Sequence, residues 1–176
     1  MKRQQGVISW DEFFMGIAKL ASQRSKDPDT QHGVCIIDPY TRRILSVGYN
    51  GLPHGLSDEG LYFEDWDNPI FVPKEGLVYD YWEKPQKYDF SAHAEENAFA
   101  NTTTDLKGSV LYLYSEKGYY PCSTCARGIA QRGIIQVIMN TAIQENTDKY
   151  DWNPTKHILK RAGVQIRILN GGIVNG

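Results

Sequence analysis

Phe13, Phe14, Ile17, Ala18, Leu20 and Ala21 recur at helical spacing behind a polar entry, Ser9-x-x-Glu12. An apolar stripe of that period marks an amphipathic helix, and serine followed three residues later by glutamate forms a capping box. The pattern therefore predicts a first helix over residues 10–25. The period then changes. "GVCIID" is a short unbroken apolar run, "DPYT" a turn and "RILSVGY" a second run, which together predict a β-hairpin. "SVLYLY" and "QVIMN" read as two further strands, and "CSTCARGIAQRG" between them as a helix closed by Gly133. Asn153 and Pro154 open a last helix that stops at Gly163, and "VQIRIL" is the final strand. This order predicts one domain over 1–176, of three-layer α/β/α architecture around a mixed sheet of about five strands. The tail 170–176 is expected to fray.

One stretch follows neither period. Residues 56–90 carry nine of the chain's 21 aromatics, and residues 56–92 carry nine Asp or Glu against three Lys. Long aperiodic insertions are functional or disordered, and disordered segments are poor in aromatics. An ordered lid, a subunit contact and a packed surface flap are the readings that remain.

Composition narrows the classes. With 41% hydrophobic and 23% charged residues in 176, the chain has material for a proper core. A net charge of −2 and a pI near 6.1 exclude the broad basic face of a polynucleotide binder, but not a small anionic ligand held by a few cations. No run approaches the ~18 apolar residues of a membrane span, and the first residues lack the apolar core of a signal peptide. Three cysteines make an odd count, so a reduced cytoplasmic protein is expected rather than a disulfide scaffold.

Two of those cysteines carry chemistry. Cys122 and Cys125 share one face on the first turn of a predicted helix, where the helix dipole and Arg127 favour thiolates. Upstream, "SAHAEENAF" puts His93 and Glu95 at the start of another helix. One histidine and two cysteines are three ligands, the number that holds a catalytic zinc while leaving a fourth position open. Cys35, inside the first strand among apolar residues, is poorly placed to close the site. H-x-E occurs by chance and C-x-x-C also suits dithiol redox chemistry, but the two in this order are the pattern of zinc deaminases of cytosine and adenine. Glu95, beside a ligand, is then the proton carrier.

"SWDEFFMGIAKLASQRSKDPDTQ", "GYNGLPHGLSD", "HAEENA" and "PCSTCARGIAQRGI" resemble, in order, the blocks of the deoxycytidylate (dCMP) deaminase family. The resemblance implies a cytidine-deaminase-like fold, Zn2+ on His93, Cys122 and Cys125, and catalysis by Glu95. The implied reaction is dCMP and water to dUMP and ammonia. It further implies a homohexamer that dCTP, with Mg2+, switches on and dTTP switches off through a loop of Gly48, Tyr49, Asn50 and Gly51. Asn50 resembles the asparagine that bonds the sugar hydroxyl, its alternative being a plain turn residue. The Ala94 backbone is the expected contact for the pyrimidine edge. Tyr120 stands either against the base or in the core. Arg24 and Lys26 are expected to hold the phosphate or, as cations at a helix end, to complement its dipole. His32 and Leu56 stand where the family more often has a small apolar residue and a cysteine. Rival readings are deamination of another cytosine nucleotide or nucleoside, a zinc module without turnover, and a dithiol oxidoreductase.

Overall fold

The computed structural model describes residues 6–54, 56, 61–63, 69–71, 81–142 and 151–169. The first helix, α1 (Trp10–Ser22), opens with the expected capping box: Ser9 N–H donates to Glu12 Oε2 at 2.7 Å and Glu12 N–H to Ser9 Oγ at 3.1 Å. It ends three residues earlier than its periodicity predicts. The last turn tightens, with Arg24 N–H bonding Ala21 O and Ser25 N–H bonding Ser22 O, and the chain leaves toward a buried Asp27.

Strands β1 (His32–Ile37) and β2 (Ile44–Tyr49) form the predicted hairpin. The insertion contributes β3 (Leu61–Phe63), β4 (Pro69–Phe71) and the short helix α2 (Lys87–Phe90), none of which shows a period in the sequence. Residues 57–60, 64–68 and 72–80, like the tail 170–176, lie outside the described set. Helix α3 (Ala94–Ala100), β5 (Val110–Ser115), α4 (Ser123–Gln131), β6 (Gln136–Met139), α5 (Asn153–Arg161) and β7 (Gln165–Ile168) follow. The main sheet has the order β2-β1-β5-β6-β7. β1 is antiparallel to both neighbours, and β5, β6 and β7 are mutually parallel.

Alternation along the strands sorts side chains into two layers. Cys35, Ile37, Val110, Tyr112 and Ile138 pack under Phe14, Met15 and Ala18 of α1. Val34, Ile36, Leu111, Leu113, Val137 and Met139 face Ala94 and Ala98 of α3, Ala126 and Ile129 of α4 and Leu159 of α5. The architecture is three-layered and mixed, as the pattern predicts. Each helical layer touches the sheet at a glycine. A Cβ on Gly33 would lie 1.9 Å from Ala18 O, and one on Gly48 would lie 2.4 Å from Ala94 O. Only a residue without a side chain permits such an approach. The Gly48 contact fixes the start of α3 against the sheet, and there the chemistry begins.

Candidate active site

His93 is the residue preceding α3, in extended backbone, and its N–H donates to Glu96 Oε2 at 2.8 Å. Cys122 holds the same position before α4, its sulfur accepting the Cys125 N–H at 3.4 Å. Thr155 of α5 fastens the preceding turn by donating its hydroxyl to Pro121 O at 2.8 Å. Two helix N-termini thus meet. His93 Nδ1 lies 3.3 Å from the sulfur of each cysteine, and the three ligand atoms fall within 4.8 Å of one another. A tetrahedral zinc with bonds of ~2.1 Å to nitrogen and ~2.3 Å to sulfur has nitrogen–sulfur edges of roughly 3.5 Å. The donors stand within a few tenths of an ångström of that spacing.

Their protonation tells the same story. Hydrogen bonds from Cys125 and His93 hold the Cys122 thiol far down, at about 3, against a burial cost. The contact with Cys122, together with burial, drives Cys125 the other way. Hydrogen bonding to Cys122 raises His93 to about 9. Two sulfurs this close accept two negative charges only across a cation, so the donor set fits zinc. Glu95 is 5% exposed, and burial pushes its carboxyl above the ordinary range.

His93, Cys122 and Glu95 line a cavity of about 260 Å³ with Asn50, Ala94 and Tyr120 on its wall. Asn50 is buried and heavily committed. Its Nδ2 donates to Thr30 O at 2.9 Å and Asp27 Oδ2 at 3.3 Å, and its Oδ1 accepts the His32 N–H at 2.7 Å. One lone pair on that oxygen remains open. The Tyr120 ring is buried beside Trp152 at 5.8 Å, with Lys156 Nζ 4.9 Å from the ring centroid, and its hydroxyl has no hydrogen-bond partner among the described residues. Of the loop at 48–51, Gly48 packs on α3, Tyr49 O accepts from Asn97, and Gly51 pairs with Ala92.

Arg24 and Lys26 are exposed, and neither lines the cavity. Because α1 stops early, the "RSK" turn stays outside while Asp27 turns in. The cations on the wall are Lys84, Lys87 and Lys117, beside Asp27 and Asp29. Lys87 is 3% exposed and donates to Asp27 Oδ1 at 2.9 Å, Asp27 Oδ2 at 3.0 Å and Asp29 Oδ2 at 3.0 Å. Lys84 Nζ meets Asp29 Oδ2 at 2.6 Å, and Lys117 Nζ donates to Asp29 O at 3.0 Å. Sequence reasoning missed this cluster. The "KDP" stretch held the signal, in its aspartate rather than in its cations. His32 also lines the cavity, 6.2 Å ring to ring from Tyr119, and burial followed by the nearby His93 pushes its imidazole down to about 4.

Residues 8–141 match the family model of the cytidine and deoxycytidylate deaminase zinc-binding region. The chain is 35% identical over 167 residues to the deoxycytidylate deaminase of Pongo abelii and 34% identical to that of Homo sapiens. Each match covers 94% of this chain and 83% of the relative. Among solved structures, the dCMP deaminase of the cyanophage S-TIM5 in complex with dCMP and dUMP aligns with a TM-score of 0.59 at 24% identity. That alignment covers 90% of this chain and 95% of the other, and it bears on the fold.

Proposed function

The chain belongs to the cytidine and deoxycytidylate deaminase family, and from that premise we propose that it hydrolyses dCMP to dUMP with release of ammonia. The observation that carries this reading is the meeting of His93, Cys122 and Cys125 at a cavity whose wall includes His93, Cys122 and the buried Glu95. Zinc held by those three residues supplies the Lewis acidity that makes a water nucleophilic at neutral pH. Glu95 takes a proton from the attacking water and passes it to ring nitrogen 3, while the water oxygen bonds to carbon 4. Glu95 then moves the second proton to the amino group, the carbon–nitrogen bond breaks, and one ammonia leaves for each water consumed. A carboxylate suits the task because the same group is base first and acid later. The open lone pair of Asn50 accepts a sugar hydroxyl, the Ala94 backbone meets the pyrimidine edge, and the Tyr120 ring flanks the base.

The reading extends to control by dCTP with Mg2+ as activator and by dTTP as inhibitor. It is supported by the bond from Asn50, at the end of the 48–51 loop, to the His32 and Asp27 segment of the cavity wall. A homo-oligomer, a hexamer by resemblance, is supported by exposed Trp10, Phe13, Tyr40 and Ile44, which leave apolar surface for a partner. Among the described residues no helix is long and apolar enough to cross a membrane, and unpaired thiols at the metal site suit the reducing cytoplasm. The test is ammonia release from dCMP, dCTP, CMP and deoxycytidine. The expected order puts dCMP first, and turnover of none of them overturns the reading. Saturation curves for dCMP with and without each triphosphate test the control.

A further inference from the structure

The lysine end of the cavity has a property that the metal end lacks: one of its carboxylates is held loosely. Lys87 spends its three donors on the two oxygens of buried Asp27 and on Asp29, so it has none left for a ligand. Lys84 and Lys117 are different. Among the described residues Lys84 meets only the Asp29 carboxylate, in a pair whose side chains are 45% and 41% exposed, and Lys117 reaches only the Asp29 backbone oxygen. Within that set each has two donors left over, and both line the cavity.

We propose that the Asp29 carboxylate is an internal stand-in for the substrate's phosphate, released when the nucleotide binds and replaced on Lys84 by phosphate oxygens that the neighbouring Lys117 also meets. The inference rests on the deaminase reading and deepens it by naming the residues that distinguish a nucleotide from a nucleoside. Charge arithmetic supports the exchange. With Asp29 in place, three lysines face two aspartates, a surplus of one. With Asp29 turned to solvent, the three lysines face Asp27 alone, a surplus of two. A phosphomonoester carries about −1.5 to −2 at neutral pH, and it brings three terminal oxygens where a carboxylate brings two. It therefore outbids the Asp29 carboxylate for the exposed Lys84, with Lys117 beside it, and the exchange gives up the Lys87–Asp29 bond while leaving the buried Lys87–Asp27 pair in place. The Asp29 carboxyl, held down at about 2 first by Lys84 and then by Lys87, is an anion whenever a nucleotide arrives.

The stand-in makes an unusual forecast: removing a lysine and removing its partner act in opposite directions. Lys84→Ala and Lys117→Ala should each raise the KM for dCMP about tenfold and lower the preference for dCMP over deoxycytidine, and Lys84→Arg should recover most of the loss. Asp29→Asn should lower the KM for dCMP severalfold, because the internal competitor is gone. Inorganic phosphate should compete with dCMP, and more weakly in Lys84→Ala. Titration of the unreactive products, dUMP against deoxyuridine, repeats the comparison without turnover and serves if Asp29→Asn is poorly active. The proposal is overturned if Asp29→Asn weakens dCMP and dUMP as the lysine variants do, since Asp29 would then be purely structural. It is equally overturned if the lysine variants weaken nucleotide and nucleoside by the same factor. If the wild-type protein turns over dCMP but these ratios stay fixed, only this inference falls. If no cytosine compound is turned over, the deaminase reading falls, and dUMP titration still reads the stand-in.

Discussion

The two ends of the cavity are built by different means. At the metal end, His93 and Cys122 occupy equivalent places before two helices, and those helices are docked through Ala94, Ala98, Ala126 and Ile129, all buried. The ligands are aimed by backbone. At the lysine end, the stretches near 27 and 84 meet through side-chain ion pairs, and Lys117 joins them through the Asp29 backbone oxygen. One of these, Lys87–Asp27, is buried at 4% and 3%, while Lys84–Asp29 is an exposed pair of the kind that contributes little. The difference teaches that one cavity can be built at two levels of structure, one end aimed by helix backbones and the other assembled from side-chain pairs, as the proposed exchange at Asp29 requires.

The comparison breaks most sharply at the metal end. Cys125→Ser should take zinc from about one per chain to near zero and abolish turnover. Glu95→Gln should keep the metal and lower kcat by about 10²–10⁴-fold. Metal analysis beside kinetics reads both, and normal turnover in Glu95→Gln would remove Glu95 from the proton path. Next comes the buried pair: Lys87→Ala leaves Asp27 without its cation and should cost about 3 kcal/mol in denaturant unfolding. A loss under ~1 kcal/mol would mean that Lys87 is no pillar.

Within the 48–51 loop, Gly48→Ala drives a methyl to 2.4 Å from Ala94 O and should cost ~1–3 kcal/mol, with weaker zinc retention because α3 must shift. Gly51→Val meets only the Tyr49 ring, at 3.7 Å for its Cβ, and should be the milder change. Equal midpoints for the two would contradict the close approach.

The smallest effect is one of pH. His32 sits at about 4 in the folded protein against 6.5 in the unfolded chain, with His93, Asp27, Lys117 and Lys87 as the charged groups around it. On acidification the unfolded chain takes up that proton first, so the His32 contribution is complete above 6.5 and declines toward 4. His32→Asn should shrink the fall in Tm between pH 7 and pH 5, and an unchanged fall would assign the acid limb to other groups.

What the sequence disclosed follows the same division. The capping box at Ser9, the strand alternation and the pairing of H-x-E with C-x-x-C are local patterns, and backbone geometry converts them directly into positions. The ion pair between Asp27 and Lys87 joins residues 60 apart in sequence and has no local signature, so it stayed hidden. The local pattern points instead to Arg24 and Lys26, because "QRSKDP" ends a helix beside the active-site strands, and neither lines the cavity. The strands β3 and β4 are three residues each, too short to establish a period. Gly48 reads as part of the 48–51 effector loop, because its neighbour across the fold, Ala94, lies far along the chain.

Gly51 and Ala92 exchange two backbone hydrogen bonds, of 3.1 Å and 2.8 Å, and so tie off the neck of everything between them. The cost of closing such a loop grows only with the logarithm of its length, about 0.6 kcal/mol for each doubling. Segments of quite different size can therefore hang from this neck while α3 and the sheet keep their places. Lys84 hangs there, and His93 does not. The segment thus carries one of the two lysines proposed for the phosphate, while the metal ligands stay on the helices and Lys117 stands beyond the last residue of β5. Transplanting the segment between residues 51 and 92 should move substrate preference between relatives and leave the chemical step behind.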